Sequence, residues 1–441
     1  MGAVRLGHGK GPPVKRVLLG AFACSPTGGG EGGVGWRYAQ HLVQEHEVWV
    51  LTDPARRSAI ESHPDSRHAR LHFIYHRPRW LRGLPMNWAT AHLLYQAWQA
   101  TAWRRGAELD RRAPLDLVWH LTYGVYRQPS RLWRIGRPFV IGPVGGGESA
   151  PLRLWPAMGG LAMTREGARW VFNALARWQP GFSACFANAR LVICKTGETQ
   201  RRLPHSVERR SIVMHEIGAL AVPDVRPRRA GPATALHFIY AGRLIGMKGV
   251  NLALAGLAHF LRAAGRGHLT IVGDGPRRQA LVDLAHDLGI AAHVEFTGQL
   301  TQDQLFQHLR AADVFVFPSL HDSSGNVVLE AISFGLPVIH LDLGGPRTLL
   351  DTRCGIEIAT PGRRPQQVAR AIGEAMLEFA RDPGLLERMS GAALQRADAL
   401  TWDRQIECVL RAVHTWISDE AGTSTDPAAT DRTPQTTRLS T

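Results

Sequence analysis

The sequence predicts an α/β protein of two doubly wound, Rossmann-like domains facing a cleft, with a last helix returning to the first domain. Three observations predict it. Apolar runs of strand length alternate with helix-length segments, and the alternation occurs twice along the chain. Between the two series lies VPDVRPRRAGPAT (222–234), whose proline and arginine content marks a linker. The length of 441 residues exceeds one ordinary domain, and a hydrophobic content of 44% supplies two full cores.

The elements follow in order. Residues 1–13 (MGAVRLGHGKGPP) read as a flexible tail. The domain 14–218 opens with a strand over Val14–Cys24, then a glycine-rich loop, a helix near Val34–Val43 and a strand over Glu47–Thr52 (EVWVLT). Further apolar, β-branched runs at Leu71–Tyr75, Leu115–His120, Pro138–Ile141 and Leu191–Cys194 read as strands. Residues 219–232 form the linker. The domain 233–400 repeats the pattern with strands at Leu236–Ala241, Leu269–Val272, Val294–Phe296, Val314–Phe317 and Val338–Leu341, each followed by a helix-like segment. An amphipathic helix is expected over 401–418, and 419–441 has the polar composition of a disordered tail.

Composition excludes several classes. No stretch is apolar for long enough to cross a bilayer, and the N-terminal residues lack the apolar centre of a signal peptide. The five cysteines are scattered without paired short spacing, which fits a reducing cytoplasm better than a disulfide framework. The net charge of +15 is uneven: residues 1–220 carry 30 Lys/Arg against 14 Asp/Glu, and residues 221–441 carry 22 against 23. Eleven of the thirteen tryptophans share that basic half. Within Arg77–Arg112, Arg79, Trp80, Arg82, Trp88, Trp98, Trp103, Arg104 and Arg105 mix cations with interfacial aromatics, as a peripheral element on an anionic membrane does. The bland alternative is a solvated basic face with the tryptophans in the core. A nucleic-acid partner is not expected, because no helix-turn-helix, finger or aromatic RNA-binding signature accompanies the charge.

The densest chemistry lies in ADVFVFPSLHDSSGNVVLEAISFGLPVI (312–339). A strand breaks at Pro318, and Asp322, Ser323, Ser324 and Gly325 lead into a helix with apolar positions Val327, Val328, Ala331 and Ile332. The turn sits at a helix N-terminus, where free N–H groups attract an anion such as a phosphate. Glu330 lies eight residues beyond Asp322, and two carboxylates beside an anion site suit recognition of sugar hydroxyls.

Four segments, AGRLIGMKGV (241–250), IVGDGP (271–276), VEFTGQL (294–300) and PSLHDSSGNVVLEAISFGLPVI (318–339), make the second half resemble the donor domain of retaining GT-B glycosyltransferases of family 4 (group 1), of the bacterial polysaccharide-assembly type. The first half is similar more weakly, through GGGEGGVGW (28–36), His120 and GPVGGGE (142–148). The resemblance implies transfer of a hexosyl unit from a nucleotide-diphosphate sugar to a hydroxyl of a lipid-linked or saccharide acceptor, without a cofactor or metal. It implies that Arg243 and Lys248 neutralise the leaving diphosphate, that Asp322 and the Ser323, Ser324 and Gly325 backbone hold the sugar, and that Glu330 accepts from the ribose. Gly29, Gly30, Gly273, Gly275, Thr297, Gly298 and Val327 complete the donor side, with His120 near the reacting carbon and Glu31 and Gly146 toward the acceptor. The family more often has Glu where this chain has Asp322.

Independent readings accompany these. Lys248 is one of four lysines against 48 arginines, so a compact point charge there stands out. Gly273 and Gly275 also fit an ordinary strand-to-helix turn. The absence of Asp-x-Asp counts against metal-dependent transfer, and His68, His72 and His76 flank a strand rather than form a metal set. No acid of the N-terminal motifs is an evident covalent nucleophile; a front-face route is expected, with double displacement open. Gly28, Gly30 and Gly33 satisfy G-x-G-x-x-G with Asp53 about twenty residues on, which keeps an NAD-dependent oxidoreductase as an alternative. A non-catalytic assembly protein and a same-fold epimerase or hydrolase are the others. Location is expected on the inner face of the cytoplasmic membrane.

Overall fold

The computed structural model describes residues 15–27, 30–87, 89–228, 235–263 and 265–418. Both expected tails, Gly28, Gly29, Trp88 and positions 229–232 of the linker lie outside the described residues.

Two parallel sheets carry the fold, so the expected α/β class of two Rossmann-like domains is present. The first contains β1 (Arg16–Gly20), β2 (Glu47–Thr52), β3 (Leu71–Tyr75), β4 (Leu117–His120), β5 (Phe139–Val144), β6 (Ala189–Cys194) and β7 (Ser211–Val213), in the order β3-β2-β1-β4-β5-β6-β7. The second contains β8 (Leu236–Ala241), β9 (Gly267–Val272), β10 (Val294–Gly298), β11 (Val314–Phe317), β12 (Val338–Leu341) and β13 (Gly355–Ile358), in the order β10-β9-β8-β11-β12-β13. Strand order reverses beside β1 in one sheet and beside β8 in the other, which opens a crevice at the carboxyl ends of β1/β4 and of β8/β11. The 318–325 turn leaves β11 at that point.

The central strands are buried on both faces, β4, β5, β11 and β12 throughout, as helix-covered parallel sheets require. The edge strands β7 and β13 were not legible in the sequence: one is three residues long, and GIEI places the exposed Glu357 in its middle. The final helix, Trp402–Ser418, lies on the first domain, with the Arg37 guanidinium 4.7 Å over the Trp402 ring and His414 Nε2 3.0 Å from His46 Nε2.

Two local expectations need correction. The glycine-rich stretch is not all loop: a helix runs over Gly30–Glu45, so Gly30, Glu31 and Gly33 form its first turn. A Cβ at Gly35 would fall 2.4 Å from the Ala23 carbonyl oxygen, so only a glycine lets this helix pack so closely on the segment after β1. The Arg77–Arg112 stretch is not an aromatic surface either. The helix Ala91–Arg112 turns Trp98 fully into the core with Leu94 and Tyr95, Trp103 packs against that core, and only Trp80 is largely exposed among its described tryptophans.

Candidate active site

The 322–325 turn is closed by its own acid. Asp322 Oδ1 accepts from the Ser324 N–H at 3.1 Å and the Gly325 N–H at 2.8 Å, and Lys248 donates to its Oδ2. Burial pushes the Asp322 carboxyl up, but the Lys248 ammonium and the two backbone donors outweigh it and hold it below its ordinary value. Gly325 has φ +66°, a left-handed conformation that lets the chain enter the helix Asn326–Ser333, and a Cβ there would meet Leu349 at 3.0 Å. The anion expected at this helix start is therefore the protein's own carboxylate. Two of the three amides assigned to the donor sugar already serve Asp322.

Lys248 reaches this position from the short turn after β8, where it also lies 5.5 Å over the Phe317 ring. Arg243 sits five residues earlier with an exposed guanidinium that pairs with no acid among the described residues. The glycines of the donor half hold neighbouring backbones together. Gly273 (φ +129°) has the Gly242 carbonyl 2.1 Å from where a Cβ would stand, and Gly275 has that of Leu244 at 2.5 Å. Gly298 accepts from the Gly273 N–H at 2.9 Å, and Thr297 Oγ1 donates to the Gly298 carbonyl at 3.1 Å. These four form the strand-end scaffold beside the crevice. Val327 is half-buried against the core.

Glu330 faces the other domain. It lines a cavity of about 340 Å³ together with Gly30, Gly33, Arg37, Asn326 and Trp402, across the cleft between the Gly30–Glu45 and Asn326–Ser333 helices. Burial raises its carboxyl above the ordinary value, and no cation or donor pairs with it among the described residues. An unpaired, half-buried acid at a domain interface is costly unless a ligand hydroxyl partners it.

In the first domain the structure separates the expected residues. His120 ends β4 but is 1% exposed, packed between Tyr95 and Trp98 with Nε2 3.3 Å from the Tyr95 hydroxyl, and burial lowers its pKa to about 4. The ring is neutral and does not reach the cleft surface; the strand end is where it was expected, but the side chain points to the core face. Gly146 has both backbone groups taken, its N–H by Glu148 at 2.8 Å and its carbonyl by Arg127 at 2.5 Å. Glu31 accepts from the Tyr123 N–H at 2.8 Å and from Lys195 Nζ at 3.3 Å. Asp53 is gripped by Arg77, Nε to Oδ2 at 2.9 Å and Nη2 to Oδ1 at 2.5 Å, so neither oxygen is free for a ribose as the dinucleotide reading requires.

A cluster the sequence reading missed joins the domains. Lys195 Nζ lies 2.6 Å from Glu216 Oε1, which also accepts from the Ser324 hydroxyl at 3.0 Å. A Cβ at Gly145 would stand 3.1 Å from both Ser323 Cβ and Lys195 Cδ, so the two domains touch here. Burial opposes the Lys195 charge, but Glu216 and Glu31 hold it protonated. Nearby, Arg169 hydrogen-bonds His321, and Glu166 takes the Ala150 N–H at 2.8 Å. Lysine scarcity was the available signal. Lys195 is another of the four lysines, and the two contact opposite ends of the same turn, Lys248 at Asp322 and Lys195 through Glu216 at Ser324. One grouping with metal-ligand character exists among the described residues, Glu45, His46 and His414, in the interface between the Gly30–Glu45 and Trp402–Ser418 helices.

Two doubly wound domains facing a cleft define the GT-B architecture. Residues 235–378 match the family model described as Glycosyl transferases group 1. A D-inositol 3-phosphate glycosyltransferase of Streptomyces bingchenggensis is 35% identical over 190 residues, covering 41% of this chain and 40% of that protein. A GDP-mannose-dependent alpha-(1-6)-phosphatidylinositol monomannoside mannosyltransferase of Mycobacterium tuberculosis is 36% identical over 144 residues, 31% of this chain and 37% of that one. The match thus spans about two fifths of these relatives' length. The solved structure of the lipopolysaccharide outer core galactosyltransferase WaaB in its apo form shares the fold across both domains, with TM-score 0.58 at 14% identity over 91% of this chain and 99% of that one.

Proposed function

We propose that this protein transfers a hexosyl unit from a nucleotide-diphosphate sugar to an acceptor hydroxyl, with retention of configuration and without a metal ion. The observation that carries the reading is the meeting of Lys248 and Asp322 at the β8/β11 switch point, inside the stretch that matches group 1 glycosyl transferases. The donor diphosphate meets Lys248 and Arg243, Asp322 stays beside Lys248 toward the sugar, and Glu330 accepts from the ribose hydroxyls. Charge develops on the diphosphate oxygen as the bond from the anomeric carbon breaks, so these cations act most strongly in the transition state. The acceptor oxygen forms the new bond on the same face, and its proton passes to the departing diphosphate oxygen. The relatives include a GDP-mannose-dependent enzyme, and a guanosine or uridine diphosphate sugar is the donor class to test first. The acceptor is a lipid-linked or growing saccharide at the cytoplasmic membrane face, in exopolysaccharide or lipopolysaccharide assembly.

Labelled UDP- and GDP-sugars incubated with lipid-linked acceptors in EDTA should give product with the donor's anomeric configuration. Inverted product overturns retention, and activity restored only by a divalent ion overturns metal independence. Release of nucleotide at equal rate without acceptor would favour a hydrolase or epimerase.

A further inference from the structure

The helix Gly160–Leu175 is built inside out. Its fully buried residues are Glu166 and Asn173, whereas Leu161, Trp170, Phe172 and Leu175 are 69, 50, 62 and 47% exposed. Specific polar contacts hold the inner face: Glu166 takes the Ala150 N–H, and Asn173 Oδ1 accepts from Arg127. The outer aromatics are thus left over, and they continue into Trp178, with the Arg177 guanidinium 4.6 Å over its ring. Leu161, Phe172 and Leu175 share the face opposite Glu166 and Asn173, and exposed apolar side chains on one face mark an interaction surface.

Phe172 also walls a cavity of about 520 Å³ between this helix, the start of the Ala91–Arg112 helix and the loop after β4. Arg127, Arg131, Gln96, Gln99 and Gln128 line it, and no lining residue is acidic. Gln99 is 5% exposed; its Nε2 donates to the Tyr95 hydroxyl at 2.6 Å, which leaves Oε1 buried without a donor. The cavity therefore offers two cations for an anion and a buried acceptor for a hydroxyl, at the foot of an apolar, arginine-flanked helix.

We propose that this cavity takes the headgroup of an anionic, hydroxyl-bearing lipid while Phe172 and Trp178 enter the bilayer interface. Charge complementarity selects the occupant: a bilayer supplies apolar area, phosphate and hydroxyl in the same order as the helix, the arginines and Gln99. The proposal rests on the membrane placement in the reading above, and not on turnover.

The test is co-sedimentation of the full chain with vesicles of phosphatidylcholine alone, with phosphatidylglycerol added, or with phosphatidic acid added. Binding should follow phosphatidylglycerol, then phosphatidic acid, which lacks the headgroup hydroxyls, then phosphatidylcholine. The double change Phe172→Ser and Trp178→Ser, on exposed positions, should weaken binding at least about tenfold, as should Arg131→Glu. Trp80→Ser should leave it unchanged. Gln99→Leu should erase the preference for phosphatidylglycerol over phosphatidic acid while keeping vesicle binding. Should that variant not fold, glycerol phosphate and methyl phosphate give the hydroxyl comparison on the unaltered chain, where glycerol phosphate should displace it from phosphatidylglycerol vesicles at the lower concentration and equal displacement overturns the proposal. Equal binding to all three vesicles, or to none, overturns the proposal, as does a thermal shift with glycerol phosphate in the absence of any vesicle binding. Transfer to a soluble acceptor should persist in the Phe172/Trp178 variant, so loss of vesicle binding and failure of the glycosyl-transfer reading give different results.

Discussion

Two helices of this protein solve opposite problems. Asn326–Ser333 buries its apolar side chains, Val328, Leu329, Ala331 and Ile332, and turns its one acid, Glu330, toward the cleft. Gly160–Leu175 buries an acid and an amide and turns its aromatics outward. The first is an ordinary amphipathic helix whose polar exception lines the cleft cavity. The second fully buries two polar side chains held by specific hydrogen bonds, with Ala162 and Met163 packed part-way on the core, and leaves Leu161, Phe172 and Leu175 exposed. The difference teaches that chemistry inside the cleft is set by unpaired polar groups, and chemistry at the surface by unburied apolar ones.

The largest test of the first helix is Lys248→Ala. It removes the cation from a mostly buried Asp322 and, in the proposed transfer, from the diphosphate, so kcat/KM should fall about 10²–10³-fold, some 3–4 kcal/mol of transition-state stabilisation. Release of nucleoside diphosphate measures it, and Lys248→Arg should recover part. Undiminished turnover would make the 322–325 turn a structural cap and dissolve the contrast between the helices.

The second helix is tested from both sides. Glu166→Ala leaves the buried Ala150 N–H without its acceptor and should cost about 2 kcal/mol, a melting-temperature drop of roughly 4–8 °C. Phe172→Ser, on the outer face, should change stability by no more than about 0.5 kcal/mol. Equal losses at the two positions would mean that the outer face packs on something after all.

Much of the donor half was legible because its constraints are local. A β-branched run, a proline break, a small-residue turn and a 3.6-residue period fixed β11, the turn and the Asn326–Ser333 helix from adjacent residues. Glu330 was legible for the same reason: an acid inside an apolar helix needs a partner. The first half was harder to read, because its cleft residues are paired over long separations. Lys195 meets Glu216 and Glu31 from distant parts of the chain, and His120 ends its strand where expected while its ring turns inward toward Tyr95. Trp98 and Trp170 are indistinguishable by composition. Helix phase accounts for Trp98, which follows the buried Leu94 and Tyr95 by four and three residues, whereas Trp170 is half-exposed although it follows the buried Glu166 by four.

A smaller effect is expected at Asp322→Glu, the acid the family more often carries. One more methylene takes the carboxylate away from the Ser324 and Gly325 N–H groups. Loss of this cap should cost about 1 kcal/mol, read as a lower melting temperature, together with an altered ratio of turnover between donor sugars. An unchanged ratio would mean that this side chain closes the turn and does not choose the sugar.

The finest distinction is between the two acids of the same segment. Burial raises the Glu330 carboxyl above its ordinary 4.5, so its contribution to stability is complete below about that pH and is lost as pH rises through the folded value. Asp322 is held below its ordinary 3.8, so its contribution is present above that pH and is lost as pH falls through the lowered value. Glu330→Gln should therefore raise the melting temperature at neutral pH, with the gain vanishing below about pH 4.5, while weakening nucleotide binding. Asp322→Asn should lower the melting temperature at neutral pH, with the gap closing in strong acid. Melting curves of both variants across pH 3 to 8 give slopes of opposite sign if one acid awaits a ligand and the other is already satisfied by the fold. Slopes of the same sign would place both carboxylates in one role.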